Sequence, residues 1–311
     1  MIAKYTVEAN PATSFSSSSR TPYEPMPIAG ASLLHVDPRD GLIRARLKKN
    51  VTSSLFKAFP PSSPEGRITR LVSDASTDAL WVGFDSGRIT VINYQFDPQN
   101  LTLKRDPQTL PVNLFAHDAE VTTIEVCPEF GIAVSASSAD GRACVWDLQK
   151  PQFIRSLEFV QHAILCERIS VAVSKTSGDI AIVRSGKGFS TVSLFNINGM
   201  RIAEERDVEP EVTAVTFSGC PEGVSVNCLV TGHSNGNIRY WSSWDLTPVG
   251  ELTTLPSKLP ISALAFNFTN HMLFAATKAE VIALEKSNPA GLNNKPNFVS
   301  LTKLPERNAS S

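Results

Sequence analysis

A chain of 311 residues that is 42% hydrophobic and only 19% charged can bury the core of one large or two ordinary domains, which excludes a disordered protein. Its 29 Lys and Arg are matched by 30 Asp and Glu, so no basic surplus exists to displace counterions along a nucleic acid. No apolar run reaches the roughly 18 residues of a membrane-spanning helix, and 21 Pro with 17 Gly punctuate the chain in the manner of many short strands.

In chain order, residues 1–29 are rich in Ser and Pro and lack the continuous apolar core of a secretory signal, so a flexible leader and a cytoplasmic chain are expected. A basic run follows, including Arg44, Arg46, Lys48 and Lys49. Two readings of it stand: a solvated blade edge that resists strand pairing, or contact with an anionic membrane surface.

The text of the chain then repeats. VSASSADGRACVWDL (134–148) and VTGHSNGNIRYWSSW (230–244) share an apolar strand, a tight turn with Gly141 or Gly236, and a large apolar anchor, Trp146 or Trp241. WVGFDSGRITVINY fits the same frame, with Gly87 leading to Ile92, and weaker copies place Phe195 and Leu284 at the anchor. These anchors lie forty-three to fifty-four residues apart, and Arg46 supplies an earlier one. Alternating strands precede each phrase, as in EVTTIEVCP (120–128) and EVTAVTFSG (211–219), and a further strand follows each anchor. About four strands per period is a propeller blade. The expectation is an all-β, WD-repeat β-propeller over 30–286, with six visible repeats and seven blades if terminal strands complete another. A flexible tail is expected over 287–311, with a closing strand near 297–304.

In the best copy His117, Ser135, Asp140 and Trp146 stand where WD repeats place a buried chain of hydrogen bonds, so they read as structural groups before catalytic ones. The Phe195 and Leu284 copies lack these residues and are expected to be held by packing. Five cysteines form no C-x-x-C pair, and five histidines fall in separate repeats, so neither a disulfide framework nor a metal site is indicated. SGKGFS (185–190) lacks the spacing of a phosphate loop. No cofactor, small-molecule substrate or catalytic residue is assigned. The acidic run EERDVEPE (204–211) reads as a solvated turn.

The stretch EVTAVTFSGCPEGVSVNCLVTGHSNGNIRYWSSWDLTPVGEL (211–252), with its PEGVSVN insertion, resembles the last part of the propeller in BEACH-domain proteins. HDAEVTTIEVCPEFGIAVSASSADGRACVWDLQKPQFIRSL and SLFNINGMRI resemble other blades of the same family. The resemblance implies a noncatalytic scaffold that binds proteins through rim loops. It implies action in lysosome and vesicle trafficking, in the cytoplasm and peripherally on endosomal or lysosomal membranes. It also implies that pleckstrin-like and BEACH domains precede this propeller, so the chain reads as a C-terminal fragment, a short isoform or an incomplete reading of its gene. Two alternatives remain open: a generic WD-repeat adaptor such as a ubiquitin-ligase substrate receptor, and a neurobeachin-like propeller.

Overall fold

The computed structural model describes residues 26–28, 32–36, 43–47, 53–55, 66–74, 76–97, 102–159, 166–219, 227–252, 258–267, 272–287 and 297–303. Their strands form six antiparallel sheets, each from strands consecutive in the chain. The first holds β1 (Met26–Ile28), β2 (Ser32–Val36), β3 (Ile43–Leu47) and β4 (Ser53–Leu55). The second holds β5 (Ile68–Asp74), β6 (Ala79–Phe84), β7 (Arg88–Asp97), β8 (Thr102–Arg105) and β9 (Val112–Phe115). β10 (Thr123–Cys127), β11 (Ile132–Ser137), β12 (Arg142–Asp147) and β13 (Gln152–Leu157) make the third. β14 (Arg168–Val173), β15 (Ile180–Gly186), β16 (Phe189–Phe195) and β17 (Arg201–Val208) make the fourth. The fifth comprises β18 (Val212–Phe217), β19 (Cys228–His233), β20 (Ile238–Ser242) and β21 (Pro248–Leu252), and the sixth β22 (Ala263–Asn267), β23 (Met272–Ala276), β24 (Val281–Ser287) and β25 (Asn297–Lys303).

Successive sheets meet through their innermost strands, from β1 against β5 to β18 against β22. The hydrophobic cores lie between sheets, and this explains strands such as β11 and β19 that are buried at every position. In β12, Ala143 and Val145 pack toward the fourth sheet, whereas Cys144 and Trp146 pack toward the second. The anchors obey one rule. Trp146, Phe195, Trp241 and Leu284 each enter the core shared with the preceding sheet.

The ladder between third and fourth strands breaks register at each of these anchors. One extra residue on the outer strand, Ile154, Ile202, Val249 or Leu301, stands opposite it as a β-bulge. At Ile92 the break is larger: β9 pairs with β7 up to Val91, β8 pairs with it from Tyr94, and the chain between them loops out.

Several expectations change. The propeller is wider than 30–286, because β1 begins at Met26 and β25 supplies the fourth strand of the sixth sheet. The strand expected near 297–304 is therefore used in the sixth blade, and the described residues form six blades with no seventh. EERDVEPE is no turn over most of its length, since Glu204–Val208 belongs to β17. Arg44 and Arg46 lie in β3, which pairs with β2 on one side and β4 on the other, so this part of the basic run is not a blade edge. Lys48 and Lys49 lie outside the described residues, as do the leader before Met26 and the tail after Lys303.

Candidate functional site: the blade networks and the rim

The third blade brings His117, Ser135, Asp140 and Trp146 together. Trp146 Nε1 donates to Ser135 Oγ at 2.9 Å, and Ser135 Oγ lies 2.9 Å from His117 Nε2. His117 Nδ1 lies 3.0 Å from Asp140 Oδ2. A single direction of donation satisfies every atom: indole N–H to hydroxyl, hydroxyl O–H to Nε2, Nδ1–H to carboxylate. Burial pushes the His117 pKa down and outweighs the opposing pull of Asp140, so the His117–Asp140 contact is a hydrogen bond of the neutral ring. Asp140 also accepts from the backbone N–H of Asp118 at 3.2 Å and of Arg142 at 2.8 Å. It thereby ties the loop before the blade to the β11–β12 turn. With His117 only 8% exposed, the Ser, His and Asp trio has no open side on which a substrate could reach it.

The fifth blade carries a variant that the sequence reading missed. Trp241 Nε1 donates to Thr231 Oγ1 at 2.8 Å, Thr231 Oγ1 lies 2.9 Å from His233 Nε2, and His233 Nδ1 lies 2.6 Å from the Pro210 carbonyl. Here the histidine comes from β19 and a backbone oxygen replaces the aspartate. The signal available was the T-G-H spelling before the turn. The Phe195 blade is not held by packing alone. Its Ser185 and Ser190 hydroxyls lie 2.7 Å apart, Ser185 donates to the Val212 carbonyl at 3.0 Å, and Ser190 accepts from the Val212 N–H at 2.8 Å. Thus SGKGFS is the β15–β16 hairpin, with Lys187 at φ 53° and Gly188 at φ 91° in its turn. Ile92, Phe195 and Leu284 are buried as anchors. Cys127, Cys144 and Cys228 are buried and in no disulfide, and no group of metal-ligating side chains occurs among the described residues.

Glu125, on the innermost strand β10, has its carboxyl pushed up to about 7 by burial, against the opposing charge of Lys175. The folded chain holds this proton to a higher pH than the unfolded chain, so stability falls as pH rises from about 4.5 through about 7. Glu125→Gln should therefore raise Tm at pH 8 by a few degrees, reflecting about 1–2 kcal/mol. The difference should close toward pH 4.5; thermal melts across that range check both ends.

Large apolar side chains protrude at the outer corners of successive blades: Phe153, Met200 (67% exposed) and Trp244 (77% exposed). Among the described residues no helix is long and apolar enough to cross a membrane.

Six sheets of consecutive antiparallel strands, joined by inter-sheet cores and pinned by Trp, Ser or Thr, and His networks, define a WD-repeat β-propeller. The family model "WD domain, G-beta repeat" matches residues 108–147. The chain is 33% identical to the human lysosomal-trafficking regulator over 70% of its own length and 6% of that protein's. It is 27% identical to the Drosophila melanogaster lysosomal-trafficking regulator over 60% of its length, and 30% identical to the Schizosaccharomyces pombe Beige protein homolog 1 over 41%, spanning 6% and 5% of those proteins. The chain is a WD-repeat region of the lysosomal-trafficking-regulator type of BEACH protein. Among solved structures it superposes on U3-55K with a TM-score of 0.61 at 12% identity, covering 88% of this chain and 78% of that one. It superposes on the computationally designed Ika8 protein with a TM-score of 0.53 at 19% identity, covering 79% and 64%. These likenesses concern the fold.

Proposed function

We propose that this propeller is a noncatalytic protein-interaction scaffold serving lysosome and vesicle trafficking, as the C-terminal module of a regulator that controls organelle size, fusion and fission. It acts in the cytoplasm and peripherally on endosomal or lysosomal membranes. The observation that carries the scaffold reading is the closed network of the third blade. The side chains best suited to acid–base or nucleophilic work are hydrogen-bonded to one another and buried, whereas large apolar groups stand exposed at the blade corners. In this reading His117, Ser135, Asp140 and Trp146 fix the blade, and the anchors Ile92, Phe195, Trp241 and Leu284 seat each blade on the one before it. The trafficking role rests on the likeness to the lysosomal-trafficking regulators.

Affinity purification of the full chain from cells, followed by mass spectrometry, tests the reading. Enrichment of vesicle-fusion and lysosomal membrane components over a denatured-bait control is expected. Recovery of cullin-linker subunits in their place overturns it in favour of a ubiquitin-ligase receptor. Arg44, Arg46, Lys48 and Lys49 are proposed to touch anionic lipid. Their change to Glu is expected to abolish sedimentation with phosphoinositide vesicles.

A further inference from the structure

Between the outer strands of the third and fourth sheets lies a cleft of about 500 Å³, lined in part by Arg155, Glu158, Phe159, Phe195, Met200 and Arg201. None of the blade networks uses it. Phe159 gives it an apolar floor. Its ring meets Phe195 edge-on with centroids 5.7 Å apart, and the Arg184 guanidinium lies over it, 4.8 Å from the centroid. Arg155 reaches across from β13 and donates to the Asn198 carbonyl in the β16–β17 turn.

On the cleft wall, Nε of Arg155 is buried without a protein partner, and so, behind the Phe159 ring, are Nε of Arg184 and the hydroxyl of Thr191, which pairs with Arg184 across the β15–β16 ladder. Glu204 does not meet their need. It accepts from Arg206 at 2.7 Å, Arg201 at 3.2 Å and Ser193 at 3.2 Å. Although burial would raise its pKa, the Arg206 hydrogen bond and the Arg201 charge hold it low. The guanidiniums of Arg155 and Arg201 on the cleft wall and of Arg184 behind Phe159 thus meet the two carboxylates of Glu158 and Glu204, leaving positive charge in excess beside an apolar floor. An unpartnered N–H on a desolvated guanidinium is unfavourable, and the planar fork of arginine matches carboxylate or phosphate oxygens.

We propose that this cleft binds an extended acidic peptide segment of a partner protein, its carboxylates or phosphates on the arginines and an apolar side chain against Phe159 and Met200. The inference rests on the scaffold reading and gives that scaffold a docking site. A bilayer fits less well, because the aromatic floor is recessed between two sheets and a headgroup plane would meet only the exposed lip at Met200.

Fluorescence anisotropy on the full 311-residue chain provides the test. The probes are short fluorescein-labelled peptides: an Asp and Glu run interrupted by leucine, the same peptide with a central phosphoserine, and a version with lysine at every acidic position. The two acidic peptides should bind, the stronger one naming the anion preferred, and the lysine peptide should not. Arg184→Gln and Met200→Asp should each weaken binding by about tenfold. Met200 lies on an exposed turn, so that variant should keep its Tm and separate binding from folding. The proposal is overturned if acidic and lysine peptides bind alike, or if Met200→Asp and Arg184→Gln leave binding unchanged. It is overturned equally if neither acidic peptide binds. A chain that still captures trafficking components yet ignores acidic peptides loses this site and keeps the scaffold reading.

Discussion

Trp146→Ala should destabilise the propeller by about 3–5 kcal/mol, and lower Tm by roughly 10 °C for a domain of this size. Two losses combine. The indole is almost fully buried in the core between the second and third sheets, where it touches Phe153 edge-on with centroids 5.6 Å apart, and its removal leaves a cavity. Its N–H also satisfies one side of Ser135 Oγ, which loses a donor in a place water does not reach. Trp146→Phe separates the two contributions, since it keeps most of the packing and removes only the donor, at a cost of about 1 kcal/mol. Thermal melts of the two variants should rank them in that order; an unchanged curve for Trp146→Ala would show that the blade does not depend on its anchor.

Gly87→Ala should be at least as damaging, with a loss of more than about 4 kcal/mol or failure to yield folded protein. Gly87 turns β6 into β7 at φ 82°, a left-handed conformation that already disfavours a side chain. A Cβ there would lie 2.0 Å from the carbonyl oxygen of His117 and 2.8 Å from that of Ala119. Both obstacles are backbone. The same segment donates the His117 N–H to the Gly87 carbonyl at 3.1 Å, so a shift that makes room for the methyl also moves the histidine of the third-blade network. Gly141 occupies the matching turn of the next blade, at φ 66°, with nothing within 4 Å of its Cβ position. Gly141→Ala should therefore cost only the left-handed penalty, about 1–2 kcal/mol. Equal melting temperatures for the two variants would refute the role assigned to the close approach.

The repeat was readable because its strongest blade spells the whole network in side chains, with a histidine before the blade and an Asp-Gly turn before Trp146. The fifth blade was half readable. Trp241 announces itself, but its histidine sits on β19 and its last acceptor is the carbonyl of Pro210, which any residue could supply. The serine pair of the fourth blade was hidden for a similar reason: Ser185 and Ser190 look like ordinary turn residues until the hairpin register sets them opposite each other. Register also decided the edges of the domain, because hydrogen-bonding to β24 makes NFVSLTK (297–303) the fourth strand of an existing sheet. The arginine cleft left no mark in the sequence, since its members come from β13, β15 and β17 and meet only when two sheets pack side by side.

The register break opposite each anchor has a practical consequence. Four blades absorb one surplus residue there, and the second blade absorbs a whole excursion between β8 and β9 while β5, β6 and β7 remain paired. The outer strand at anchor height is thus a splice point, where added chain leaves the three inner strands in place. An epitope tag or a circularly permuted fluorescent reporter inserted beside Ile154 or Val249 would sit on the rim of a working propeller, in a position the second blade has already occupied with its own sequence.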